Sequence, residues 1–168
     1  QPNFSFSLPD RLIQDFNTAR DLAERCITKY PDTAGFHEEL GRTYIANNKL
    51  DQAKQILLPA FKKFSSDKRL ARAVILYYEQ INDLNTALEI TNHQLKLDPE
   101  NLFLLQSKII GLQKLKGIDD AIEFAEWIRD KFPKIFTQIS WTNVGAGVGL
   151  AVALSYRLAI LYFEKAKA

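Results

Sequence analysis

The sequence predicts an all-α protein built as a stack of helical hairpins, and three observations predict it. The octet "DFNTARDL" at Asp15 returns almost unchanged as "DLNTALEI" at Asp83, 68 residues later. At half that interval, 34 residues, weaker copies stand as "KLDQAKQI" from Lys49 and "GIDDAIEF" from Gly117. A third mark keeps the same period: Pro31, Ser65, Pro99 and Pro133. Repetition at an interval of this length marks an architecture in which each short unit buries its apolar face only against its neighbours.

Numbering a unit so that the alanine of the phrase is position 20 starts full units at Ala34, Lys68 and Leu102, and the alanines are Ala19, Ala53, Ala87 and Ala121. Two residues before each alanine stands Asn17, Asp51, Asn85 or Asp119, a type that accepts from the free amides of a first helical turn, so each phrase is expected to open a helix there. The residue before that cap is apolar in every copy (Phe16, Leu50, Leu84, Ile118), as a hydrophobic staple requires. Proline at position 32 then ends the helix. Ahead of each phrase lies another helix. In the unit from Ala34 it carries Leu40, Gly41 and Tyr44 at positions 7, 8 and 11, with Leu57 and Ala60 following at 24 and 27.

That order of large, small, aromatic and then alanine residues resembles the tetratricopeptide repeat. The unit from Lys68 keeps Ala71, Val74, Tyr78, Ala87 and Pro99, and the unit from Leu102 keeps Leu105, Leu112, Ala121, Ile128 and Pro133. Departures are Ile75 and Ile109 at the small-residue place and Lys108 at an apolar one. The resemblance covers Asp10 to Lys134 and implies an α-α superhelix, a right-handed superhelical stack of tetratricopeptide-like hairpins. The expected divisions are a lead-in segment or remnant of a cut repeat over 1–15, the second helix of a partial repeat over 16–33, repeats over 34–67, 68–101 and 102–135, and apolar C-terminal helices over 136–168. Cys26 falls at the small-residue position 27 of the partial repeat.

The last division admits three readings, because no charged residue occurs from Ile135 to Tyr156. One is a degenerate repeat, with Trp141, Val144, Gly145 and Val148 at positions 4, 7, 8 and 11 and Ala159, Phe163 and Ala166 at 20, 24 and 27. Another is a membrane span, with Gly145, Gly149 and Ala153 as a small-residue stripe, against which Arg157, Thr142 and Asn143 count. The third is a capping or self-association helix.

Composition narrows the function. The 168 residues are 46% hydrophobic and 25% charged, as in a globular domain, and 22 basic against 20 acidic residues leave a net charge of +2 with no basic patch for nucleic acid. A single cysteine excludes an internal disulfide and a cysteine-built metal site. The chain begins at Gln1 and holds no methionine, so its original start, with any targeting peptide, is expected to lie upstream. The two histidines, His37 and His93, sit in different units with no carboxylate or cysteine at ligand spacing. "GAGVG" lacks the preceding strand and following lysine of a phosphate loop. Asp119 and Asp120 suit a helix start, where the macrodipole favours negative charge. No catalytic constellation emerges, and neither cofactor nor metal is implied.

What the resemblance implies instead is a concave groove lined by first helices at positions 2, 5, 9, 12 and 13. Here these are Glu38, Arg42, Ile45 and Ala46; Arg69, Arg72, Leu76, Glu79 and Gln80; and Phe103, Gln106, Ile110, Gln113 and Lys114. Arginines at three of these places suit an acidic peptide. The carboxylate clamp of chaperone-binding relatives is absent, since its places hold Glu38, Glu39 and Arg42, then Arg72, Ala73 and Leu76, then Gln106, Ser107 and Ile110. The expected activity is that of a non-catalytic scaffold or adaptor that binds a protein or peptide and helps assemble a complex. The alternatives are a membrane-associated or bacterial envelope assembly factor using the tail for anchoring or homo-oligomerisation, and a docking region of a larger enzyme. Compartment, cytoplasmic or periplasmic, stays open.

Overall fold

The computed structural model describes residues 8–134 and 158–167, with side chains from residue 15 onward. Seven helices follow one another: α1 (Leu8–Lys29), α2 (Ala34–Ala46), α3 (Leu50–Lys63), α4 (Lys68–Gln80), α5 (Leu84–Leu97), α6 (Leu102–Leu115) and α7 (Ile118–Lys131). An eighth, α8, spans 158–167. The chain forms two compact units, Gln1–Ile81 with α1 to α4 and Asn82–Ala168 with α5 to α8.

The 34-residue period survives to the residue. First helices start at Ala34, Lys68 and Leu102, second helices at Leu50, Leu84 and Ile118, and α1, α3, α5 and α7 end two residues before Pro31, Ser65, Pro99 and Pro133. The turns before α3, α5 and α7 each hold a left-handed residue: Asn48 (φ 54°) and Asn82 (φ 59°), and Gly117 (φ 121°) one place later in the third, where α6 is longer. Asparagine tolerates this conformation better than most residues, and glycine takes it without steric cost.

The expected caps shift by two residues. The second helices begin after Lys49, Asp83 and Gly117, of which Asp83 caps by accepting from the Thr86 amide. Asp51, Asp119 and Asp120 lie in first turns, where their charge favours the helix end, and Asn85 lies just inside α5. Asn17 lies inside α1, which runs unbroken from Leu8, so the first copy of the phrase does not open a helix. Ala19 is exposed, whereas its counterparts Ala53, Ala87 and Ala121 are buried. It carries the repeat's mark without a helix packed upon it among the described residues.

In the first unit α1 packs on α2, α2 on α3 and α4, and α3 on α4. Leu40, Leu57, Leu70, Val74 and Ile75 are fully buried. Phe16 of α1 meets Tyr44 of α2 with ring centroids 6.2 Å apart, and Tyr44 donates its hydroxyl to Glu24 at 3.0 Å. Gly41 explains the close approach of α2 to α3: a Cβ there would stand 2.2 Å from Leu57 Cδ2.

In the second unit α6 packs on both α5 and α7, around Leu105, Ile109, Leu112, Ala121, Ile122, Ala125 and Ile128. Here the size pattern reverses: Ile109 at position 8 is buried in the same cluster as Ala125 at position 24. A large residue on one helix is balanced by a small one on the other, so the departure at Ile109 keeps the core volume. Lys108, at an apolar place, fits because its ammonium lies 4.4 Å from the centre of the Phe124 ring. Burial, with Lys116 adding to it, lowers its pKa.

α8 joins this core through Leu158 and Leu161. Lys165 pairs with Asp119 at the start of α7 at 2.7 Å, and Tyr162 bonds Glu126 in its middle, so α8 runs antiparallel to α7. The second-helix register for this segment is therefore corrected. Ala159, Phe163 and Ala166 are exposed, because the leucines supply the apolar stripe that meets the core. Trp141, Val144, Gly145, Gly149, Ala153 and Arg157 lie outside the described residues.

Candidate functional site

The residues expected to meet a partner fall in both units. In the first, α2 and α4 pack directly on one another. Six residues of α4 are buried, Leu70, Ala71, Ala73, Val74, Ile75 and Tyr77, whereas Arg69 and Arg72 are exposed. On α2 the structure buries Glu38 to 7% exposure, and its carboxylate accepts from Arg42 Nη1 at 3.2 Å one turn away. The Arg42 side chain is 51% exposed against 9% for that of Glu38, so the pair turns its positive member outward. Ile45 and Leu76 are half-buried and Gln80 is exposed. Each of the expected partner-facing side chains here other than Glu38 is at least partly exposed on α2 or α4.

Beside it lies a cavity of about 620 Å³ where the turn after α3 meets the starts of α2 and α4. Lys63, Ser65, Ser66 and Arg69 line it together with Asp32, Gly35 and Asp67. Lys63 pairs with Asp32 and holds that carboxyl below its ordinary pKa through the hydrogen bond and the charge. Asp67 caps α4 by accepting from the amides of Arg69 and Leu70 at 3.0 and 2.9 Å. Thr33 precedes α2 without making a side-chain cap bond. Neither Lys63 nor Gly35 stands out in the sequence, because their meeting depends on how one hairpin follows another.

In the second unit Gln106, Ile110 and Gln113 of α6 are half-buried. Gln113 is already engaged: its amide donates to Glu164 of α8 at 2.8 Å. The sequence offered a signal for this docking in Leu158 and Leu161, spaced by three on one helix face.

His37 Nε2 is 3.2 Å from the Pro31 carbonyl and its ring lies 6.0 Å from Phe64, while His93 is exposed. Cys26 is half-buried. Among the described residues no group of three or more His, Cys, Asp or Glu could hold a metal ion, and no helix is long and apolar enough to cross a membrane.

Helices of this length, paired by small-against-large contacts and repeated every 34 residues, define a helical-hairpin repeat protein. Residues 14–76 match the family model described as Tetratricopeptide repeat, which supports a tetratricopeptide repeat helical protein. No curated protein matches the chain. Repeats of this family generally mediate protein–protein interaction and scaffolding.

Proposed function

We propose that the protein is a non-catalytic interaction scaffold whose first unit binds an acidic peptide segment along the face of α2 and α4. The observation that supports this most is the outward placement of Arg42, Arg69 and Arg72 on two first helices packed together over a buried core. Side chains on a rigid frame lose little freedom when a ligand arrives, so most of the ordering cost falls on the peptide. Guanidinium groups match carboxylates in two-point hydrogen bonding, and the half-buried Ile45 and Leu76 on the same two helices add apolar area.

The test is fluorescence anisotropy with labelled peptides of matched length, acidic and basic. Acidic peptides should bind with an affinity that falls as salt rises, and the double variant Arg42→Glu/Arg72→Glu should lose that binding while keeping its helical circular dichroism. Equal binding of basic peptides, or binding indifferent to the double variant, would overturn the reading.

A further inference from the structure

We infer that the cavity between the α3–α4 turn and the start of α2 is an oxyanion site, which takes a carboxylate or phosphoryl group with Arg69 as its principal donor. The inference rests on how the charges lining the cavity are already committed. Of its two carboxylates, Asp32 is held by Lys63, and Asp67 is spent on the amides that open α4. Arg69 is the cation left over, with no carboxylate pairing its guanidinium among the described residues.

Gly35 of α2 makes room for it. The guanidinium lies against Gly35, where a Cβ would come within 3.2 Å of Nη2. A side chain at position 35 would therefore crowd it, and glycine leaves the group a seat on α2. Arg69 also lines the cavity, and a planar guanidinium there can meet two oxygens at once. Ser65 and Ser66, both exposed, line the same space and bring hydroxyl groups to it. Lys63 stands beside them, and an arriving dianion competes with Asp32 for its ammonium.

This inference deepens the peptide-binding reading and rests on it only for the source of the oxyanion. A peptide along α2 and α4 would deliver an acidic side chain, a phosphorylated residue or its own terminal carboxylate to Arg69.

The first experiment uses inorganic phosphate. The isotope-labelled full chain is titrated at constant ionic strength, with chloride as control, and the amides of Gly35, Ser65 and Ser66 and the Arg69 Nε–H are followed by NMR. Saturable shifts confined to this cluster are expected, weakened about tenfold or more in Arg69→Gln and partly restored in Arg69→Lys, since a lysine keeps the charge and loses the fork. Unchanged amide positions for α1 and for the first half of α3, in the same unit but away from the cavity, show that both variants fold. Absence of saturable shifts, or shifts that persist in Arg69→Gln, would overturn the site.

A second arm compares one peptide carrying phosphoserine, glutamate or an amidated terminus at the same place. Tighter binding of one form, lost in Arg69→Gln, identifies the peptide as the source and which group it brings. Phosphate binding that Arg69→Gln abolishes, beside peptide binding that ignores Arg42→Glu/Arg72→Glu, leaves this site standing and removes the groove. Peptide binding that needs Arg42 and Arg72 but not Arg69, with no phosphate response, leaves the groove standing and removes this site.

Discussion

Gly41 and Leu57 occupy one another's space: the position a Cβ would take on Gly41 is 2.2 Å from Leu57 Cδ2 and 2.4 Å from Cγ. Gly41→Ala should therefore destabilise the protein even though alanine is the better helix former by about 1 kcal/mol. Overpacking costs about 1 to 3 kcal/mol, so a net loss in thermal unfolding is expected. Leu57→Ala alone opens a cavity and costs about 2 to 5 kcal/mol. The two together should lose clearly less than the sum of the singles, because the shortened Leu57 admits the new methyl. Additive losses would mean that the helices can slide apart, and the register of α2 on α3 would be wrong.

The 34-residue register was legible in the sequence because position 20 and position 32 carry local chemistry, an alanine in a tight contact and a helix breaker. It even anticipated where the helices stop. Where it erred, the missing information was non-local. Asn17 has the right residue type for a cap, yet α1 continues through it. Ile109 looked like a misfit until Ala125 was found in the same core cluster. The expected groove residues say nothing of Gly35 or Lys63, whose place beside Arg69 comes from the packing of successive hairpins. Gln113 is expected to line the groove, and a helix 51 residues away in sequence supplies Glu164 to it.

The seam between α5 and α6 is polar, and one of its groups is stranded. Thr91, Gln94 and Ser107 are all buried there, with Thr91 Oγ1 donating to the Ala87 carbonyl at 2.8 Å. Gln94 Nε2 is buried without a hydrogen-bond partner. An unmade bond of this kind costs about 1 to 3 kcal/mol, so Gln94→Leu, close in shape, should raise the denaturation midpoint. A drop in the midpoint would show that the amide is bonded in solution, for instance through a buried water.

α8 is held by its leucines, and its surface pairs add little. Leu161 is fully buried in the second unit's core, so Leu161→Ala should cost about 2 to 5 kcal/mol. Lys165→Ala breaks the pair with the exposed Asp119, and solvent-exposed pairs of this kind add little to stability. Hydrogen exchange checks the site of action: Leu161→Ala should expose amides of α6 and α7 and leave those of α2 and α3 protected. Equal effects of the two substitutions would place the stabilisation in charge pairing instead.

Alkaline stability should turn on two tyrosines. Burial raises the pKa of Tyr44 above its ordinary 10.0, and the hydrogen bond it donates to Glu24 adds to this, because ionisation would set two negative charges together. Burial raises Tyr77 as well. A phenol whose folded pKa exceeds its unfolded one keeps its proton longer in the native state. Its contribution is fully present below pH 10.0, and it is lost as pH climbs from there through the raised folded value. Chemical denaturation should thus show stability falling above that pH. Tyr44→Phe lowers stability at neutral pH by the hydrogen bond to a charged acceptor, about 1.5 to 3 kcal/mol less whatever solvent screening removes at this half-open site. It should also flatten the alkaline fall, and Tyr44→Phe/Tyr77→Phe should flatten it further. An undiminished fall in the double variant would remove these two tyrosines as its cause and leave Tyr162, whose pKa the hydrogen bond to Glu126 raises.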